Sequence, residues 1–144
     1  IGPLLAGKPA SLFIANRSAD KAELLAQLFA NFAGKQNATV HAGKIEKTAG
    51  NSFDLVINAT SASLSGQTLP LPAGLFASGA LACDMMYGKG DTPFMTQARA
   101  QGAAFCADGL GMLVEQAAEA FYIWRGLRPE TASVLTDLRR QITA

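Results

Sequence analysis

The sequence predicts an α/β fold built on a parallel sheet. Short apolar runs alternate with segments of helical period, the pattern of successive β-α-β units. The strand candidates are almost continuously apolar, as in Leu12-Phe13-Ile14-Ala15 and Leu55-Val56-Ile57, which suits strands covered on both faces. Hydrophobic residues make up 49% of the 144 and charged residues 16%, the composition of an ordered globular chain.

Residues 10–15 read as a buried strand. Residues 19–33 read as a helix with Leu24, Leu25, Leu28, Phe29 and Phe32 on one side and Ser18 as N-cap. A short strand is expected over 38–42 and a stronger one over 53–59. Residues 61–79 are rich in Ser, Gly and Pro and read as loop. A strand follows over 81–84. Thr92-Pro93 then looks like an N-cap with proline at the first helical position, opening a helix to about Gln101. Residues 103–106 complete the strands. Helices close the chain over 110–125 and 129–142, the last with Pro129 at its first position.

Composition excludes several function classes. Twelve basic and 11 acidic residues leave a net charge of +1, which argues against a nucleic-acid or anionic-membrane partner. No apolar run approaches the roughly 20 residues of a membrane span. His41 is the single histidine, so no multi-histidine metal site is expected. Cys83 and Cys106 stand far apart in apolar stretches, which fits a reducing, cytoplasmic setting better than a disulfide framework. The chain opens on Ile1-Gly2-Pro3-Leu4-Leu5, with no leader, and reads as a fragment taken from mid-sequence.

Ligands of open α/β sheets bind beyond the carboxyl ends of the strands, so candidate site residues were sought there. Asn16-Arg17-Ser18 follows the first strand, and Lys21 lies one helical turn past Arg17. These cations can converge on a helix N-terminus that already favours anions, or form a solvated basic turn. An Arg at this place suits the 2′-phosphate of NADP, where an acidic residue would suit NAD. Asn58-Ala59-Thr60-Ser61 could line a cofactor cleft or simply end a strand. Tyr87, in Asp84-Met85-Met86-Tyr87-Gly88-Lys89-Gly90, offers a phenol at the sheet mouth or an amphipathic cover. Gly109 and Gly111 allow close approach to a ligand or a tight turn. On the following helix Leu113, Gln116, Ala117, Ala120, Phe121 and Trp124 share a stripe. Gln116 is its polar member, and a buried carboxamide there needs a substrate hydroxyl or backbone as partner.

Four segments in order resemble the C-terminal half of the shikimate dehydrogenase family. They are Asn16-Arg17-Ser18, Ile57-Asn58-Ala59-Thr60-Ser61, the run from Asp84 to Phe94 containing Tyr87-Gly88-Lys89-Gly90-Asp91-Thr92-Pro93, and Ala107-Asp108-Gly109-Leu110-Gly111-Met112-Leu113-Val114-Glu115-Gln116-Ala117. The resemblance implies a Rossmann-like doubly wound parallel sheet lacking its first strand and Gly-rich loop, followed by C-terminal helices. It implies NADPH-dependent reduction of 3-dehydroshikimate to shikimate, on the route to chorismate and aromatic amino acids. By resemblance, Asn16, Arg17, Ser18 and Lys21 hold the adenosine 2′-phosphate. Thr60, Met85, Gly109 and Met112 belong to the cofactor site, and Tyr87 and Gln116 contact substrate. Lys21 replaces the family's more common Arg, which keeps the charge and loses the planar fork.

The resemblance further implies that residues 1–108 are a partial dinucleotide-binding domain. Residues 109–144 would then be a hinge and closing helices that pack on the missing N-terminal substrate domain. The family's proton-transfer Lys and substrate-binding Asp are in that missing half, so no catalytic residue is assigned in this chain. Lys89 and Asp91 belong to a different motif. The absent first strand would sit between the strands at 10–15 and 53–59, and its loss should split the sheet and keep the isolated chain from closing natively. Alternatives are a quinate/shikimate paralogue using NAD(P) and a non-catalytic dinucleotide-binding module. The pairing of Tyr87 with Gln116 favours an enzyme over a sensor. A homodimer stays open as a further partner arrangement.

Overall fold

A computed structural model of the protein describes residues 1–62 and 66–143. Its five strands form two sheets, both parallel, as the alternating pattern requires. The chain divides into two compact units, Ile1–Asn51 with Pro70–Leu75, and Ser52–Leu69 with Phe76–Ala144.

The first unit begins with a short helix, α1 (Gly2–Ala6), which the sequence reading did not anticipate. Pro3 suits a first helical turn, and Leu5 gives the helix its anchor. Leu5 is buried with Ala33 and Ala38, and Ile1, Leu12, Phe29 and Val40 pack around them. Strand β1 (Ser11–Ala15) leads into helix α2 (Ala19–Lys35) and returns to β2 (Thr39–Gly43). β1 and β2 pair in parallel from Ser11↔Thr39 to Ala15↔Gly43. Ser18 occupies the N-cap position, but its side chain makes no cap hydrogen bond, so the expected cap chemistry is corrected. A 3₁₀ turn, Ile45–Thr48, follows β2, with the Thr48 hydroxyl donating to the Ile45 carbonyl at 2.6 Å.

The second unit holds β3 (Phe53–Asn58), β4 (Phe76–Asp84) and β5 (Phe105–Ala107) in the order β3-β4-β5. Matched rows run Asn58↔Asp84 and Cys83↔Ala107. The loop expected to run to residue 79 ends sooner, because β4 already begins at Phe76. Its early part is irregular: the register jumps between Phe53↔Phe76 and Leu55↔Leu81, and Gly79 sits at φ 82. That left-handed residue supplied the loop signal. Residues 63–65 of the expected loop lie outside the described residues.

Helix α3 (Pro93–Ala100) starts as expected, with Thr92 Oγ1 accepting from the Met95 N–H at 3.2 Å and Pro93 in the first turn. Helix α4 (Leu110–Arg125) also has the expected limits and ends on Gly126 in the left-handed region, at φ 69. Helix α5 (Ala132–Thr143) begins three residues later than Pro129 suggested. Glu130 supplies the start instead, its carboxylate accepting from the Ala132 and Ser133 N–H groups at 2.6 and 3.2 Å. Those are donors the first turn of a helix leaves open.

The core of this unit holds Ala80, Ala82, Phe94, Met95, Ala98, Leu110, Val114 and Ala118, with α3 against β4 and β5 and α4 against α5. Along α4 the buried line is therefore Leu110, Val114, Ala118, spaced by four, and not the stripe carrying Gln116. Leu113, Ala117 and Phe121 line an apolar groove of about 250 Å³ with Val134 and Leu138 of α5. Beyond it Ile123, Trp124 and Leu127 are 71%, 78% and 65% exposed. No described helix is long and apolar enough to cross a membrane. We expect the chain produced alone to bind a hydrophobic dye and to melt without a cooperative transition, because these side chains lack cover and each sheet is small. A sharp melt without dye binding would contradict this.

Candidate functional site

In the first unit the candidates lie at the turn from β1 into α2. The Asn16 N–H donates to the Gly43 carbonyl at 3.0 Å, which extends the β1–β2 ladder by one bond. The Asn16 side-chain oxygen accepts from the Ser18 N–H at 3.2 Å, an Asx turn that sets the chain entering α2. Arg17 and Lys21 are exposed, and neither makes an ion pair among the described residues. Asp20 shares the first turn of α2 and offsets part of that charge.

In the second unit the candidates gather where β3, β4 and β5 end. Asn58 is buried and closes β3. Its side-chain oxygen accepts from the Thr60 N–H at 3.0 Å and the Thr60 hydroxyl at 2.7 Å. Thr60 in turn accepts from the Ala62 N–H at 3.2 Å, so the exposed Thr60 is held by a short ladder of side-chain bonds. The Met85 N–H reaches the Asn58 carbonyl and the Gly109 N–H reaches the Met86 carbonyl, both at 3.0 Å. The exits of the three strands are thus stitched together, and Tyr87, 46% exposed, stands on the middle one.

Gly109 is the tightest point. A Cβ there would lie 2.0 Å from the Met85 carbonyl oxygen and 2.6 Å from its carbon. The close approach that this glycine permits is to the backbone of Met85, a neighbour the sequence did not indicate. Its φ of −75 is ordinary, so the need is steric. Gly111 has open space around its Cβ position. Met112 is 43% exposed and Met85 half-buried.

Gln116 differs from expectation. It is exposed, and no buried carboxamide exists there. The stripe is a face of α4, but the buried line is Leu110-Val114-Ala118, and Val114 and Ala118 share the groove against α5.

Asp108, just past β5, carries the strongest electrostatics of the region. Its carboxylate accepts from both terminal nitrogens of Arg139, at 2.7 and 2.5 Å, and from the Leu110 N–H at 3.3 Å. Burial by itself raises this carboxyl. The bonds from Arg139, Leu110 and Gly88 and the Arg139 charge outweigh it and hold it below the usual carboxylate range. A depressed carboxyl contributes stability that is present above its unfolded value, about 4, and is lost as pH falls through the lower folded value. We therefore expect urea melts of the complete protein to lose about 1 kcal/mol more in the wild type than in Asp108→Asn between pH 5 and pH 3, Arg139 being partly solvated. Equal losses would remove this pair from the account.

Burial first, then the carboxylates of Asp84 and Asp108, push the Cys83 thiol up. Burial and Asp91 push Cys106 up against Arg99. Little thiolate forms at neutral pH, so neither is an activated nucleophile. No group of three or more potential metal ligands exists among the described residues.

Sequence reasoning singled out Thr60, Met85, Tyr87 and Gly109 but not what holds them. Asp84 is fully buried, and accepts from Asn58 Nδ2, the Met86 N–H and Thr92 Oγ1. The available signal was a polar residue closing each of two adjacent apolar strands.

The family described as Shikimate 5'-dehydrogenase C-terminal domain matches residues 109–136. The chain is 69% identical over 144 residues to the shikimate dehydrogenase (NADP(+)) of Dechloromonas aromatica, covering 100% of this chain and 51% of that protein. The chain thus spans about half the length of this relative. Among solved structures it is similar to an Ael1 enzyme from Pseudomonas putida, with TM-score 0.76 and 46% identity over 99% of this chain and 49% of that one. It is also similar to a ligand-free 5-ketofructose reductase of Gluconobacter sp. strain CHM43, with TM-score 0.75 and 30% identity over 96% of this chain and 50% of that one.

Proposed function

We propose that this chain is the cofactor-binding half of a shikimate dehydrogenase, an NADP-dependent enzyme that reduces 3-dehydroshikimate to shikimate. The observation that carries the reading is the gathering of Thr60, Met85, Tyr87 and Gly109 at the carboxyl ends of β3–β5. That is where open α/β sheets bind ligands. The proposed roles follow the family resemblance. Arg17 and Lys21 pair with the adenosine 2′-phosphate, and Asn16 and Ser18 set the turn that presents them. Their exposure and freedom from ion pairs fit a dianionic group. Thr60, Met85, Gly109 and Met112 line the nicotinamide side, while Tyr87 and Gln116 hold substrate hydroxyls.

When bound, the nicotinamide supplies the hydride. The residues here supply position. Met85 and Met112 present apolar surface that excludes water, and the buried Gly109 keeps the strand exits close together. The Tyr87 phenol donates to or accepts from a substrate oxygen. The proton donor is assigned to the other half of the protein. Asp91 is committed to Arg99 at 2.7 Å and takes no such role.

Residues 1–108 would be the partial dinucleotide-binding domain, and residues 109–144 the hinge and closing helices. The exposure of Gln116, Ile123, Trp124 and Leu127 supports a further domain of the same protein as their cover. A second reading, a reductase of a different ketone, draws support from the similarity to 5-ketofructose reductase.

The test is the complete enzyme with shikimate, quinate or 5-ketofructose and either NADP(H) or NAD(H), followed by nicotinamide absorbance. Turnover of shikimate with NADP+ is expected. Turnover only of another substrate would favour the second reading or a quinate paralogue, and cofactor binding without turnover would favour a sensor.

A further inference from the structure

Resting on that reading, we propose that Asp84 is a positioning residue that fixes the Met85–Tyr87 segment and Thr60 from beneath the site. Three chain segments meet on its two oxygens. Asp84 Oδ1 accepts from Asn58 Nδ2 at 3.2 Å and from the Met86 N–H at 3.1 Å. Asp84 Oδ2 accepts from Thr92 Oγ1 at 2.6 Å. Asn58 passes the constraint to Thr60 through the bonds at 3.0 and 2.7 Å. Thr92 passes it to α3 through the Met95 N–H at 3.2 Å. Asn58, Asp84 and Thr92 are 2%, 0% and 8% exposed, so water has little access to compete for these bonds.

The register explains the meeting. Asn58 and Asp84 are direct partners across β3 and β4, so both side chains fall on the same face of the sheet. Thr92 arrives because the loop from β4 returns at once to cap α3. A carboxylate suits this position because it only accepts, and Asn58 Nδ2, the Met86 N–H and Thr92 Oγ1 all donate to it. An amide would bring a donor of its own.

Asp84 contacts neither cofactor nor substrate in this reading. It acts through the backbone of Met86 and through Asn58. Its loss should therefore weaken substrate alignment and leave binding of the adenosine end, assigned to Arg17 and Lys21, as it was.

Asp84→Ala strips three donors of their partner and is a poor probe if the protein then fails to fold. Thr92→Val is better, since it removes one hydroxyl at nearly constant shape, and Thr92→Ser restores the hydroxyl. In the complete enzyme we expect Thr92→Val to lower kcat/KM for shikimate about tenfold. Affinity for adenosine 2′,5′-bisphosphate, measured by calorimetry, should stay within about twofold, and Thr92→Ser should recover most of the activity. Unchanged kcat/KM in Thr92→Val overturns the inference alone. Proportional loss of activity and adenosine bisphosphate affinity also overturns it, because that is the mark of a merely structural role. A wild-type enzyme inert toward shikimate overturns the functional reading and this inference with it.

Discussion

Gly109→Ala is expected to destabilise the complete enzyme by about 3 kcal/mol or more and to lower turnover about a hundredfold. The added carbon would fall 2.0 Å from the Met85 carbonyl oxygen and 3.2 Å from its Cα. Those are backbone atoms at a strand exit, so no rotamer change relieves the clash. Met85 is further held by its N–H bond to the Asn58 carbonyl. The segment must therefore move as a whole, carrying Tyr87 with it. Gly111→Ala is the control. Its Cβ position is open and it lies within α4, so the substitution should change stability by less than about 1 kcal/mol, on the stabilising side. Urea denaturation and shikimate turnover read both variants. Wild-type behaviour of Gly109→Ala would mean that β4 and β5 do not end this close together.

Arg17→Ala is expected to raise KM for NADP+ about a hundredfold while leaving KM for NAD+ nearly unchanged. The guanidinium can donate two parallel hydrogen bonds to a phosphate, and among the described residues it makes no ion pair. Lys21→Ala should have a smaller effect, about tenfold, because an ammonium is a strongly hydrated point charge. Both effects should shrink with added salt, since both side chains are exposed. Steady-state kinetics with each cofactor at two ionic strengths provides the check. An NADP+ KM indifferent to Arg17 would remove the 2′-phosphate assignment.

Long periodic segments were legible in the sequence because their signals are local. α4 has the limits its pattern predicted, and Thr92-Pro93 opens α3 as read. The errors arise at helix starts. Ser18 stands at the N-cap of α2 without making the cap bond, and Glu130 replaces Pro129 at the start of α5. The start of β4 was hidden because Gly79 breaks the strand pattern. Helix α1 is too short to show a period, and only the contacts of Leu5 reveal it. Gln116 shows a different limit. Periodicity defines the faces of a helix but not which one is buried, and burial fell to Leu110, Val114 and Ala118. The Asp84 bonds depend on register across strands far apart in sequence, which no local window contains.

The same bonds bear on the thermodynamics of ligand capture. Loops beyond a sheet usually become ordered when a ligand arrives, and part of the binding energy is consumed in that ordering. Here residues 84–86 and Thr92 are tied by buried side chains and strand-like backbone bonds that belong to the chain itself. The conformational entropy those bonds cost is surrendered during folding. Affinity at this end of the site is thereby linked to the stability of the sheet beneath it.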